Sequence, residues 1–186
     1  DYILLNLAKA ESSDKKHEQA QTHILQLLKS FPYTQLYPEA QIILADTYIQ
    51  SKDEIKAEEV LLESIATLKN SFYHKSFRPY LPELIFKLAT HQEKLGKKNE
   101  AYLNYRQLPI KYPNHELTPD AETALKKLSA SSDIKTVPLT LREHTERIEQ
   151  LFKGVRYKEI ISEISEIQKT NNPMPGRFFF FLSNAH

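Results

Sequence analysis

Three times along this chain two alanines stand twelve residues apart: Ala8 and Ala20, Ala45 and Ala57, Ala89 and Ala101. A short polar break lies within each interval, and on either side of it apolar residues recur at the three- and four-residue steps of a helix face. The neighbours recur too. Leu7, Leu44 and Leu88 precede the first alanine, and Ile24, Leu61 and Tyr105 follow the second by four residues. A small residue on each of two successive helices lets their backbones cross closely. The interval therefore predicts helical hairpins built to one plan, and an all-α chain.

The segment from Pro82 to Pro113 shows the plan in full. Pro82 suits a first helical turn, and Leu84, Ile85, Leu88 and Ala89 share one face. Gly96 and the polar run Lys97 to Asn99 break the pattern. Ala101, Leu103, Tyr105 and Leu108 resume it until Tyr112-Pro113, and Pro109 should loosen the last turn because it has no N–H to donate. Upstream, residues 1–10 and 17–30 read as a first pair that starts without a preceding cap and ends at Phe31-Pro32. Pro38 with Glu39 opens a second pair, which turns at 51–54 and runs on through 55–68. Between the second and third pairs, residues 70–81 carry extra length rich in aromatic and basic residues.

Beyond the third pair, Thr118 and Pro119 have the form of an N-cap and first turn, and they predict a short extra helix through Ala121, Ala124, Leu125 and Leu128. The serine-rich stretch 130–138 reads as a linker. A fourth pair follows over 139–152 and 157–169 around Gly154, with Ile160 in place of the repeat alanine. Phe178 to Ala185 then opens a fifth pair, its four phenylalanines apolar on nearly every side. The expected division is thus three pairs and an extra helix over 1–129, a linker over 130–138, and a continuation of the same stack over 139–186.

Composition narrows the function. With 25 basic and 24 acidic side chains among 186 residues the net charge is +1, so no global field draws the chain to nucleic acid or to an anionic membrane. No apolar run reaches the roughly 18 residues of a membrane span, so a soluble chain is expected. The absence of cysteine removes disulfide and thiolate chemistry. His17 and His23 are six apart, whereas two imidazoles on one helix meet one ion at four, so no metal site is expected there. Gly96-Lys97-Lys98 lacks the rest of a phosphate-binding loop and reads as a solvated turn. The carboxylate pairs Glu58-Glu59 and Glu163-Glu166 lie opposite apolar faces and are expected at the surface. No catalytic residue, metal or cofactor is assigned.

The spacing of the hairpins resembles the tetratricopeptide repeat, with its large-small pair, later alanine and closing proline. Leu44-Ala45 with Tyr48 matches best, and Pro32 and Pro113 supply closing prolines. The first-helix tryptophan is missing, alanine replaces glycine, and Glu11 and Gln92 stand where tyrosine would be. This resemblance implies tetratricopeptide-like hairpins stacked into a right-handed superhelix, or solenoid.

A closer resemblance rests on further phrases: Asp1-Tyr2, Ser30-Phe31-Pro32, Gly96 to Ala101 with Tyr105, Lys111-Tyr112-Pro113, and Arg147 to Phe152 followed by Gly154 to Tyr157. Together they are similar to the superhelical N-terminal region of soluble lytic transglycosylases, periplasmic enzymes that cleave peptidoglycan to 1,6-anhydro products. The family's catalytic Glu-Ser and Gly-Leu-Met-Gln motifs are not matched: Glu11-Ser12 and Glu63-Ser64 lie in repeats, and Met174 is flanked by prolines. The resemblance implies a noncatalytic segment in the bacterial periplasm, positioning glycan strands for a catalytic domain beyond His186. The first residue, Asp1, suits a piece of something longer.

The alternative is a free-standing adaptor that binds a protein or peptide in its concave groove. Under either reading the first-helix face supplies the candidates Tyr2, Leu5, Lys9, Glu39, Ile42, Asp46, Phe86 and Thr90. A second group, Tyr73, Phe77, Arg78 and Tyr80, reads as an aromatic and cationic lip for a sugar ring or a partner peptide, or as a plug between helix pairs.

Overall fold

The structure, a computed structural model, describes residues 1–70, 75–169 and 175–185; of Lys75 and Ala185 only the backbone is described. Helix accounts for 79% of the described residues, and none of them lies in a strand. An average protein is about one-third helical. Ten α-helices occur among them: α1 Tyr2–Ser13, α2 His17–Ser30, α3 Tyr37–Gln50, α4 Glu54–Asn70, α5 Leu81–Lys94, α6 Lys98–Lys111, α7 Thr118–Ser129, α8 Leu141–Lys153, α9 Tyr157–Lys169 and α10 Gly176–Ala185. A 3-10 turn, Lys75–Tyr80, precedes α5. The helices form two compact units, Asp1–Lys97 and Lys98–His186, and the division falls inside the segment that reads as the third hairpin.

In the first unit the chain folds back at the predicted breaks. Helix α1 packs on α2 and α3 on α4, while α2 in turn packs on α3 and α4 on α5. Ala8, Ala20, Ala45 and Ala57 are all fully buried. Three of them share one core with Leu5, Ile24, Leu27, Leu44 and Tyr48. Helix α1 is capped after all: the Asp1 carboxylate accepts from Tyr2 N at 2.7 Å and from the Thr34 hydroxyl at 2.8 Å, which ties the start of α1 to the loop before α3. Glu11, expected in the turn, lies within α1 and pairs with His23 of α2 at 2.7 Å.

One turn is used four times. After α1, Lys16 N donates to Glu11 O at 2.8 Å and Lys15 N to Ser12 O at 3.1 Å. The same two bonds close α3 (Asp53 to Tyr48, Lys52 to Ile49), α5 (Lys97 to Gln92, Gly96 to Glu93) and α8 (Arg156 to Leu151, Val155 to Phe152). This is the Schellman arrangement, which satisfies the last carbonyls of a helix by putting one residue in the left-handed region. That residue is Lys15 at φ 63°, Lys52 at 63°, Gly96 at 75° and Val155 at 59°. Only one of the four is glycine, the residue with no steric penalty there.

The second unit repeats a longer piece. The connection Phe31 to Ala40 that leads α2 into α3 returns as Tyr112 to Ala121, leading α6 into α7. Both copies place Pro at the second position, Leu at the sixth, Pro at the eighth and Ala at the tenth. In the first, Leu36 N donates to Thr34 Oγ1 at 3.1 Å; in the second, Leu117 N donates to His115 Nδ1 at 3.2 Å. Helix α7 packs on α6 as α3 packs on α2, so it takes the place of a first helix in the repeat. Thr118 is not its N-cap. It lies inside the helix and is buried, and its hydroxyl donates to Tyr112 O at 2.7 Å.

Helices α8 and α9 form the last hairpin, with α8 also against α6 and α10 against α9. Helix α8 starts at a capping box of Thr140 with Glu143. Of the four phenylalanines in α10, Phe178 and Phe181 enter a core with Ile148, Leu151, Ile160, Ile164 and Ile167, whereas Phe179 and Phe180 are exposed. Segment 130–138 runs along the second unit with Ile134 buried and the Pro138 carbonyl accepting from Arg106 Nη2 at 3.0 Å.

Candidate functional site

In the first unit, α1, α3 and α5 carry the predicted first-helix residues in matching register. Leu5, Ile42 and Phe86 occupy one row, and Lys9, Asp46 and Thr90 the next. Leu5 is wholly buried and Ile42 nearly so, while Phe86 is half-buried. Leu5 is therefore a core residue, removed from any ligand. The polar row sits higher. Lys9 reaches across to Glu39 of α3 at 2.6 Å, and Asp46 accepts from Lys87 of α5 at 2.7 Å. These two pairs bridge successive first helices and leave each side chain partly open to solvent. Thr90 donates its hydroxyl back to Phe86 O at 2.9 Å, and Tyr2 stands exposed at the start of α1.

Lys87 is a member of this site that periodicity did not single out, because nothing local distinguishes it from the other lysines of a polar helix face. Asp46 identifies it only through a contact between residues far apart in sequence. The face offers partly exposed carboxylates and ammonium groups that are already paired, so a ligand can exchange for one partner without leaving a bare charge. Such exposed pairs contribute about 0–1 kcal/mol each to stability, which makes them easy to open.

The second predicted group is divided. Phe77 is buried, so its ring face is not open to a ligand; burial of its apolar surface outweighs the exposure that the lip reading required. Arg78 is exposed and Tyr80 about half so, both on the 3-10 turn packed against α4 and α5. Tyr73 lies outside the described residues.

The second unit holds three arginines that share one habit. Each pairs with a glutamate and donates to a proline carbonyl. Arg106 grips Glu143 with both Nη atoms and donates to Pro138 O. Arg147 donates to Pro109 O at 2.6 Å and lies 3.2 Å from Glu163 Oε2. Arg156 donates to Pro113 O and to Glu159 Oε1, the latter at 2.8 Å. The planar guanidinium carries enough donors to do both at once. These contacts dock the last hairpin, including its turn, on α6 and on the loop after it. The Glu163 carboxylate also accepts from His144 Nδ1 at 2.5 Å when that ring nitrogen carries the proton, so Glu163 is a half-buried structural group and not the surface carboxylate expected from its pattern. Glu58 departs in the same way: it is half-buried and accepts from Gln92 and Lys97, while Glu59 and Glu166 are exposed.

Between α6, α7 and the segment 137–139 is an open cleft of about 400 Å³, walled by Tyr102, Ile110, Leu125, Val137 and Leu139 with Arg106 and Arg147 at its polar side. A more polar cleft of about 420 Å³ lies between the loop 113–119 and the turn at Gly154 and Arg156. In the first unit a cleft of about 400 Å³ is bounded by residues 15–19 and Ser51.

The carboxyls with resolved shifts all move downward. Arg106, donating to the Glu143 carboxylate, holds its pKa at about 2 against the ordinary 4.5, and the Thr140 backbone adds to this over the opposing effect of burial. At Glu58 burial acts upward, but hydrogen bonds from Gln92 and Lys97 outweigh it. Lys56 lowers Asp53 through a hydrogen bond. A carboxyl that serves as general acid near neutrality is shifted the other way. Among the described residues no group of three or more histidine, aspartate or glutamate side chains is gathered to hold a metal ion, and no helix is long and apolar enough to cross a membrane. No protein-family model matches this chain, and no curated protein matches it in sequence.

Proposed function

We propose that the chain is a noncatalytic repeat scaffold: tetratricopeptide-like pairs stacked into a right-handed superhelix, serving as the superhelical segment of a periplasmic peptidoglycan lytic transglycosylase. The observation that carries the scaffold reading is the reuse of one turn at four helix ends, together with the ten-residue connection that recurs with Pro, Leu, Pro and Ala at the same four positions. A chain that builds its corners to one pattern is organised by repetition, and repeats present long faces instead of a single enclosed pocket. The wall-enzyme reading draws on the phrases at 30–32, 111–113 and 147–157, and on exposed Tyr2 and Tyr80, whose rings suit pyranose faces.

Cosedimentation with purified peptidoglycan sacculi tests this reading. Wild-type protein is expected to pellet with sacculi, Tyr2→Ala and Tyr80→Ala are expected to pellet less, and no anhydro-muropeptide should be released. Protein that stays wholly in the supernatant removes the glycan reading. The adaptor reading is favoured by the Lys9–Glu39 and Asp46–Lys87 pairs, which suit the alternating charges of a peptide. It predicts capture of a discrete protein that is lost in a Lys9→Glu, Asp46→Lys variant.

A further inference from the structure

The cleft between α6, α7 and the segment 137–139 is built wholly from the second unit. Its volume of about 400 Å³ falls within the range of about 300–1,000 Å³ usual for small-molecule sites. The cleft is preformed. Tyr102 and Ile110 of α6, 7% and 3% exposed, are fixed by the packing around them. The segment that supplies Val137 is pinned on both sides of it, by buried Ile134 before and by Arg106 on the Pro138 carbonyl and the Thr140 capping box after. Leu125 of α7 is half-buried and Val137 is 44% exposed, so part of the apolar wall stays open.

The charge on this wall has one sign. Arg106, Lys126 and Arg147 line the cleft, and among the described residues no carboxylate does so. Glu143 and Glu163 already meet the two arginines. Lys126 is exposed and makes no ion pair within the described residues, so one positive charge is left over. Donors are left over as well. A guanidinium carries five N–H groups in a fixed fork. Within the described residues neither Arg106 Nε nor Arg147 Nη2 makes a hydrogen bond, and neither atom is sealed from solvent. Such a fork matches the two oxygens of a carboxylate. We infer that the cleft binds an apolar monocarboxylate, with its chain against Tyr102, Ile110, Leu125 and Val137 and its carboxylate at the side of the arginines and Lys126. A single negative charge suffices because two of the three cations are already balanced. Such a site operates within the second unit whether the scaffold serves glycan or a peptide.

Octanoate is the probe, titrated into the whole chain at low salt and followed in the amide NMR spectrum. Saturable shifts are expected at the cleft, above all at Tyr102, Ile110, Leu125 and Val137. 1-Octanol, with the same chain and no charge, should bind at least about tenfold more weakly, because a hydrogen bond to a charged group is stronger than one to a neutral group. Octylammonium should not bind there. Lys126→Glu, at an exposed side chain, should weaken octanoate binding about two- to fivefold. Val137→Asp should weaken it about tenfold or more by setting a like charge against the ligand. Both changes are at the surface and should leave the melting temperature unchanged. Octanoate that leaves the spectrum as it was, or shifts only residues away from the cleft, overturns the inference. So does octanol or octylammonium binding as tightly as octanoate, and so does octanoate binding that neither variant weakens.

Discussion

Replacing Val155 by glycine should stabilise the second unit. Val155 holds φ at 59°, where an L-residue pays about 1–2 kcal/mol and a β-branched one is at the upper end. Glycine removes that strain but adds about 0.4–1 kcal/mol of freedom to the unfolded chain. The valine side chain is 64% exposed, so little burial is lost with it. The balance is a gain of roughly 1 kcal/mol. Lys15→Gly and Lys52→Gly, at φ 63° but unbranched, should gain about half as much. Gly96→Ala, at φ 75°, should lose about 1 kcal/mol. Gly154 is the contrast: its φ is an ordinary −88°, yet a Cβ there would run into the Asn114 side chain. Asn114 cannot simply swing away, since its Nδ2 donates to Gln150 O at 2.7 Å, and Gly154→Ala should therefore destabilise. Urea denaturation followed by circular dichroism, run on all five variants, measures these differences. If Val155→Gly proves neutral or destabilising while Gly96→Ala is tolerated, the left-handed turn is not a shared source of strain and this reasoning fails.

Replacing Ala57 or Ala101, both fully buried, with leucine should overpack the interior and cost roughly 1–3 kcal/mol, whereas Lys98→Leu on the surface should change stability little; equal losses at all three sites would show that the alanine register has no packing role. Because Glu143 titrates at about 2 when folded and near 4.5 when unfolded, its contribution is complete above the unfolded value and is lost as the pH falls from about 5 towards 2. It amounts to roughly 1–3 kcal/mol after allowance for solvent screening. Stability measured against pH should therefore decline less steeply in Glu143→Gln than in the wild type over that interval, and parallel curves would count against the Arg106 pairing as its source.

The helix pairs of the first unit were legible because their causes are local. Alanine spacing, polar breaks and prolines near helix starts act over a turn or two, and Ala8, Ala20, Ala45 and Ala57 are buried as their pattern requires. Two further local signals lie outside the alanine spacing: the Thr140–Glu143 capping box, and the likeness of Phe31 to Ala40 with Tyr112 to Ala121, which places α7 after α6 as α3 follows α2. The left-handed turns were legible only at Gly96. At Lys15, Lys52 and Val155 the turn follows from the helix on one side and the packing of the next helix on the other, which overrides what the residue itself prefers. The burial of Leu5 and Phe77, the pairing of Asp46 with Lys87, and the three arginines on proline carbonyls depend on partners dozens of residues away or on neighbouring helices. A period fixes which side of a helix is apolar. How deeply a residue on that side is covered, and which charge a polar neighbour meets, depends on where the other helices come to rest, and that was decided only by the tertiary fold.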